Sequence, residues 1–356
     1  MKIISIVGAR PQFIKLGPLS HKLRKKHQTM ILHTGQHYDD NMSARFFADL
    51  GIPLPDYNLG IGSGTQAEQT ANMMMGIEDI LRKEKPDLVI VFGDTNSTLS
   101  GSLTSAKLHI PLVHIEAGLR SHNKTMPEEI NRIVTDHISD LLLAPTKTAI
   151  NNLKNEGLSD KSHLSGDIML DSLLQFRRKA ESTSEIFENL KVNRNNYLLL
   201  TLHRPYNVDN RQNLFNILSV LSEIDAEIVF PVHPRTKKMI KEFSIQLNSN
   251  ICLSDPVSYL DFVNLEINAS KIITDSGGIQ KEAYMLGVPC ITVRPETEWI
   301  ETVEYGWNSL VGFDSRKLKI AIESFNPVGE RPDVFGNFGV AQKMTELIEN
   351  FMNHVD

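Results

Sequence analysis

The side chains best suited to proton transfer sit just after short apolar runs. Asp94 follows LVIVF in the stretch GDTNST, and Glu116 follows LVHI in EAGLRS. Glu128 and Glu129 come directly after Pro127 in MPEEINR. Each has an ordinary use: Asp94 alone could cap a helix, and acidic residues in a first helical turn are favoured by the helix dipole. Three acidic groups from consecutive strand ends nevertheless suggest a carboxylate cluster, which raises pKa values and supplies bases and acids. The second half carries the opposite chemistry. LLLTL runs into His203 and Arg204, and IVFPV into His233 and then Arg235. These are hydrogen-bond donors suited to phosphate. In IITDSGGIQKEA an apolar run ends in Ser276, Gly277 and Gly278, and a helical pattern follows at once. Free N–H groups at such a helix start form a nest for an anion. Glu282 stands about one and a half turns further along, where a carboxylate suits ribose hydroxyls. GARPQFIK, after the first apolar run, adds Arg10 and Lys15.

These residues need a scaffold that brings strand ends to one edge. IISIV (3–7), TMILH (29–33), LVIVF (88–92), LVHI (112–115) and LLLA (141–144) read as buried strands. Segments of helical period, such as 66–83, lie between them. Continuous apolar strands alternating with helices indicate a parallel sheet covered on both faces. Residues 181–196 are polar and weakly periodic, and the rhythm then returns with YLLLTL (197–202), EIVFPV (227–232), KIITD (271–275) and PCITV (289–293). The expected class is α/β, with two doubly wound domains. The expected division is 1–170 for an N-terminal domain with the acid/base groups and 171–338 for a C-terminal domain with the phosphate-binding groups. Residues 339–356 form a helix packing back toward the first domain. Open sheets of this kind bind ligands beyond the C-terminal strand ends, so the site is expected in a cleft between the domains.

Bulk properties narrow the function. A chain of 356 residues exceeds one ordinary core. Its 43 acidic and 37 basic residues give a net charge of −6. That argues against nucleic-acid partners and a polybasic membrane anchor. Cys252 and Cys290 have no paired spacing, which fits a reducing cytoplasm. No apolar stretch approaches the roughly 18 residues of a membrane span. There is no GxGxxG to seat a nicotinamide cofactor and no Walker A pattern for ATP. His33 and His37 flank a glycine turn and make a poor metal pair, and Asp39–Asn41 reads as a solvated turn. Met73–Met75 reads as helix core.

Together these stretches resemble the non-hydrolysing UDP-N-acetylglucosamine 2-epimerase family. GARPQFIK, HTGQHYD, GDTNST, HIEAGLRS, MPEEINR, HRPYNVD, VHPRT, TDSGGIQKEA and ETEWIETVEYGWN occur in family order over residues 8–313. The resemblance implies two Rossmann-like domains in the GT-B arrangement, paired as homodimers. It also implies inversion at C2 of a UDP-linked 2-acetamido sugar, through UDP elimination and readdition, without redox cofactor or metal. On this likeness Asp94, Glu116 and Glu128 form the acid/base set, with His203 as a catalytic or leaving-group residue. Arg10, His233, Ser276, Gly277 and Gly278 would hold the diphosphate, Glu282 the ribose, and Lys15 would lie near sugar and phosphates. Ala9 and Gln12 depart from the commoner GTRPE pattern, and Tyr38, Asp39 and Asp40 depart near the region of a second, activating nucleotide-sugar site. GARPQFIK, HYDDNMS and ETEWIETVEYGWN are similar to a branch with UDP-2,3-diacetamido-glucuronic acid 2-epimerases. There a C6 carboxylate would need a cation such as Arg120 or Arg204. Hydrolysing relatives share the first half-reaction. A GT-B glycosyltransferase would share the nest and the His–Arg units but would not require three carboxylates.

Overall fold

The computed structural model describes residues 1–36, 47–48 and 51–354. The stretch His37–Asn41 therefore lies outside the described residues. The chain forms two compact units, residues 1–174 with 333–356, and residues 175–332. Both are Rossmann-like α/β units with helices between parallel strands.

In the first unit the strands are β1 (Lys2–Val7), β2 (Gln28–His33), β3 (Tyr57–Asn58), β4 (Leu88–Phe92), β5 (Leu112–Ile115), β6 (Leu141–Ala144) and β7 (Ser162–Leu164). They are arranged in the order β3-β2-β1-β4-β5-β6-β7, all parallel. Ile4, Ile6, Val89 and Val91 face Met73, Ile77 and Leu81 of the helix Gln66–Glu84. Met73 is the buried member of its methionine run, whereas Met75 is exposed, so the core reading of all three residues is too broad. One helical face holds only every third or fourth residue.

The second unit has β8 (Tyr197–Thr201), β9 (Glu227–Pro231), β10 (Ile251–Ser254), β11 (Lys271–Thr274), β12 (Cys290–Thr292) and β13 (Asn308–Leu310). Their order is β10-β9-β8-β11-β12-β13, again parallel. Leu198 and Leu200 enter one apolar cluster while Tyr197 and Leu199 enter another. Period-two alternation thus fills both faces of the sheet, as an apolar run demands.

The last helix, Val340–Met352, belongs to the first unit. It packs on the helix Arg10–Leu23 and buries Val340, Ala341, Met344 and Ile348. Asp171 accepts from the N–H groups of Gly339 and Ala341, both at 2.8 Å, and so caps its start. Glu349 meets Lys26 (2.9 Å) and His27 (3.1 Å). An exposed ion pair contributes about 0.5 kcal/mol. Each buried aliphatic side chain contributes about 2 kcal/mol, so apolar burial dominates the docking. No helix among the described residues is long and apolar enough to cross a membrane.

In both sheets the strand order reverses beside the first strand, at β1/β4 and at β8/β11. Neighbouring loops leave in opposite directions there and open a crevice beyond the strand ends.

Candidate active site

At the first switch point the chain turns tightly after β1. A Cβ on Gly8 would collide with the hydroxyls of Ser97 and Thr34, so glycine is needed there. Gln12 holds the turn. Its Oε1 accepts from the N–H groups of Gly8 (2.7 Å) and Ala9 (3.0 Å), and its Nε2 donates to the Phe92 carbonyl (2.7 Å) at the end of β4. The same helix carries half-buried Arg10 at its first position and buried Lys15 further along.

Lys15 makes an ion pair with Glu116. Glu116 has φ of +71°, a left-handed conformation that costs a non-glycine residue about 1–2 kcal/mol. Strain of this kind collects at functional sites. A Cβ on Gly93, itself at φ +63°, would lie 3.1 Å from Glu116 Oε2 and 3.6 Å from Lys15 Nζ. The turn carrying Asp94 is therefore packed directly against the Lys15–Glu116 pair. Asp94 is not a helix cap. Thr95 caps the helix Asn96–Lys107 by accepting from Thr98 N–H, and the Asp94 carboxylate pairs with Arg132.

Arg132 also reaches Glu129 at 3.1 Å, and Asn131 Nδ2 donates to the Asp94 carbonyl at 2.9 Å. Half-buried Glu128 shares their helix face, because residues three and four apart are neighbours on a helix. Glu129 turns inward and accepts from the N–H groups of Ser121 and His122, both at 2.9 Å. Burial raises its pKa, but those N–H groups and the Arg132 charge outweigh it and hold the carboxyl below the usual range.

Arg120 is not a spare cation. It is buried, and its guanidinium donates to Asp136 (2.7 Å), the Leu119 carbonyl (2.6 Å) and Glu156 (2.6 Å). Asp136 is held below the usual carboxylate range. Burial pushes it up, but the charge and hydrogen bond of His114 and those of Arg120 prevail.

At the second switch point Thr201 of β8 lies opposite Thr274 of β11, so the residues after them emerge together. Fully buried Asp275 accepts from His203 N–H (3.1 Å), Arg204 N–H (3.0 Å) and Asn207 Nδ2 (3.0 Å). Burial raises its pKa, but hydrogen bonds and the His203 charge carry it below the usual range. His203 Nδ1 lies 3.1 Å from Asp275 Oδ1. With Nδ1–H donated there, Nε2 is the working nitrogen. The His233 ring is 6.4 Å from the His203 ring. Its Nδ1 accepts from Arg235 N–H at 3.2 Å, so a neutral His233 carries its proton on Nε2. The Arg235 side chain itself is committed to Asp209.

Ser276 caps the helix Gly277–Leu286, its Oγ accepting from Ile279 N–H. The N–H groups of Gly277 and Gly278 fall in the first turn, which has no intrahelical acceptors for them. The two glycines differ. A Cβ on Gly277 would run into the Glu298 carboxylate, which Arg294 holds at 3.0 Å. Gly278 is exposed, and a Cβ there would meet only Ser276 Oγ at 3.8 Å. Gly277 is small to fit its own protein, and Gly278 leaves room outside it. Glu282 lies further along and largely buried, 3.3 Å from the Tyr259 hydroxyl. Glu266 is fully buried nearby, and burial, then the Glu282 charge, push its carboxyl well above the usual range.

Arg132, Asn131 and Asp275 touch the candidate residues but escape a reading of the sequence. The first two could have been found from their spacing of three and four from Glu128. Asp275 could have been found from the neighbouring of β8 and β11.

The family model for UDP-N-acetylglucosamine 2-epimerase matches residues 21–349. A "UDP-N-acetylglucosamine 2-epimerase homolog" of Methanococcus maripaludis is 50% identical, over 98% of this chain and 100% of the relative. The UDP-2,3-diacetamido-2,3-dideoxy-D-glucuronate 2-epimerase of Pseudomonas aeruginosa is 49% identical over 88% of each chain. The crystal structure of the Methanocaldococcus jannaschii UDP-GlcNAc 2-epimerase, in complex with UDP-GlcNAc and UDP, superposes with a TM-score of 0.92 at 46% identity. It covers 98% of this chain and 100% of that one. The chain belongs to the UDP-N-acetylglucosamine 2-epimerase family, a family of isomerases.

Proposed function

We propose that this protein interconverts UDP-GlcNAc and UDP-ManNAc without hydrolysis. One of Asp94, Glu116 and Glu128 takes the proton from C2. The C–H electron pair becomes the C1=C2 bond, and the C1–O pair leaves with UDP. Arg10, His203 Nε2–H, His233 Nε2–H, the Ser276 cap and the N–H groups of Gly277 and Gly278 stabilise the departing diphosphate. Glu282 receives the ribose, and Lys15 keeps Glu116 in place. UDP then returns to C1 while a second acid protonates C2 from the other face. The observation that carries this reading is the pair of ordered carboxylates, Asp94 on Arg132 and Glu116 on Lys15, at one switch point of a chain in this family. We also propose a homodimer in the cytoplasm. Light scattering at the mass of one chain would overturn the dimer.

The test is proton NMR of UDP-GlcNAc with the enzyme in D2O. UDP-ManNAc with deuterium at C2 is the expected product. Free ManNAc in its place would mean hydrolysis. The P. aeruginosa relative favours a second reading, the same chemistry on a diacetamido-glucuronate sugar. With Arg120 committed to Asp136 and Glu156, Arg204 is the residue to test for its C6 carboxylate. Turnover of that substrate, with UDP-GlcNAc inert, would establish the second reading over the first.

A further inference from the structure

We infer that His114 and Asp136 are a positioning pair, an imidazolium and a carboxylate that together hold the two turns carrying Asp94 and Glu116. Both side chains are fully buried. His114 stands on β5. Its Nδ1 lies 2.7 Å from Asp136 Oδ1, and its Nε2 lies 2.7 Å from the Gly93 carbonyl oxygen. A carbonyl can only accept. Asp136 also accepts, because the Arg120 guanidinium (Nη1, 2.7 Å) and Gly118 N–H (3.1 Å) on its other oxygen hold it as a carboxylate with no proton to donate. A neutral imidazole has one N–H and would turn a lone pair on one of these oxygens. Only the doubly protonated ring satisfies both contacts.

The surrounding charges balance it. Asp136 comes from the helix Pro127–Ile138, Arg120 from the loop after β5, and Glu156 from the end of the helix Lys147–Asn155. Lys161 is turned toward the carbonyls of His137 (3.0 Å) and Ser139 (2.6 Å). On the Gly93 side the charged groups are Asp94, next in the chain, and the Glu116–Lys15 pair packed against the turn. His114 and Arg120 thus match Asp136 and the half-buried Glu156, which leaves the network without net charge.

The network fixes geometry in two places. The Gly93 carbonyl, held by His114, sets the direction in which the next residue, Asp94, leaves the turn. Gly118 N–H, held by Asp136, fixes the chain two residues beyond Glu116. Gly93, Glu116 and Gly118 all have positive φ, at 63°, 71° and 81°. Such turns keep their shape only when neighbours over-determine them. Neither His114 nor Asp136 touches substrate in the scheme above. Their role rests on the reading of Asp94 and Glu116 as acid/base groups.

The experiment is 15N NMR of histidine-labelled enzyme, with the His114 signals assigned by their loss in His114→Asn. Both ring nitrogens should show a directly bonded proton. In Asp136→Asn one of them should lose its proton. The same variant should lose kcat on the order of 100-fold, the scale of a small misplacement of reacting groups, with UDP affinity held within about 2-fold. A neutral His114 in the wild-type enzyme would overturn the imidazolium. Unchanged kcat in Asp136→Asn, or loss of UDP affinity along with kcat, would overturn the positioning role. A fully active Asp94→Asn enzyme would overturn the acid/base reading, and with it the positioning role, while the NMR result would still decide the imidazolium. Should a variant fail to fold, neutron diffraction from wild-type crystals reads the two protons directly.

Discussion

The two units share a strand order and a switch point but manage charge in opposite ways. In the first, carboxylates at the strand ends are matched by cations, Asp94 by Arg132 and Glu116 by Lys15, and Asp136 on the helix Pro127–Ile138 is matched by Arg120. In the second, the strand ends present His203, His233 and helix N–H groups, and burial and the Glu282 charge push the carboxyl of Glu266 well above the usual range. Topology decides where a ligand can approach. The residues placed there decide whether the unit offers carboxylates or anion donors at its strand ends.

The division of labour breaks most visibly at Asp94. Asp94→Asn should lower turnover by about 1,000-fold, within the range for a general acid or base, while UDP affinity stays within about 2-fold. Titration calorimetry showing UDP binding lost in a folded variant would sink the separation. Lys15→Met leaves Glu116 buried beside an apolar group. Breaking such a pair costs about 3 kcal/mol, so the urea midpoint should fall clearly, and an unchanged midpoint would show that the pair contributes nothing. In the second unit Gly278→Val is a cleaner probe than Gly277→Val, because Gly277 packs against Glu298. A side chain at Gly278 should weaken UDP binding about 30-fold, equivalent to about 2 kcal/mol, with little loss of stability. Unchanged affinity would remove the diphosphate from this helix start.

The smallest effect is the sharpest contrast. Glu266 has a folded-state pKa above its unfolded value. Its contribution to stability is complete below the ordinary glutamate range and is lost as pH rises toward the raised value. Glu266→Gln removes that loss, so variant minus wild-type stability should grow from acid to alkaline pH. Asp136, with its depressed pKa, works the other way and loses its contribution as pH falls. Parallel pH curves for wild type and Glu266→Gln would show that Glu266 carries no extra proton.

Much of this was legible in the chain. The nine inner strands show themselves as apolar runs because both faces of a parallel sheet are covered. The strands that those runs do not announce are β3, β7, β10 and β13, the outermost of each sheet among the described residues. β3, β7 and β13 are short and partly exposed and carry polar residues such as Asn58, His163 and Ser309, whereas β10 is apolar in Ile251, Cys252 and Leu253 but buries only the first of them fully. The site was legible where chemistry stands directly at a strand end, as at Asp94, Glu116, His203 and Ser276. It was not legible where a side chain acts across the fold. Nothing local in LVHI says that His114 will meet Asp136, 22 residues on, and nothing in GLRS says that Arg120 is already committed.

The first unit closes only with residues 333–356, which supply a helix to its core. During synthesis that helix leaves the ribosome after every residue of the second unit. The unit begun first is therefore completed second, and until then the surface that will receive Val340, Met344 and Ile348 stays uncovered. A nascent chain stalled near residue 332 should hold a finished second unit and an unfinished first one, the kind of intermediate on which chaperones act.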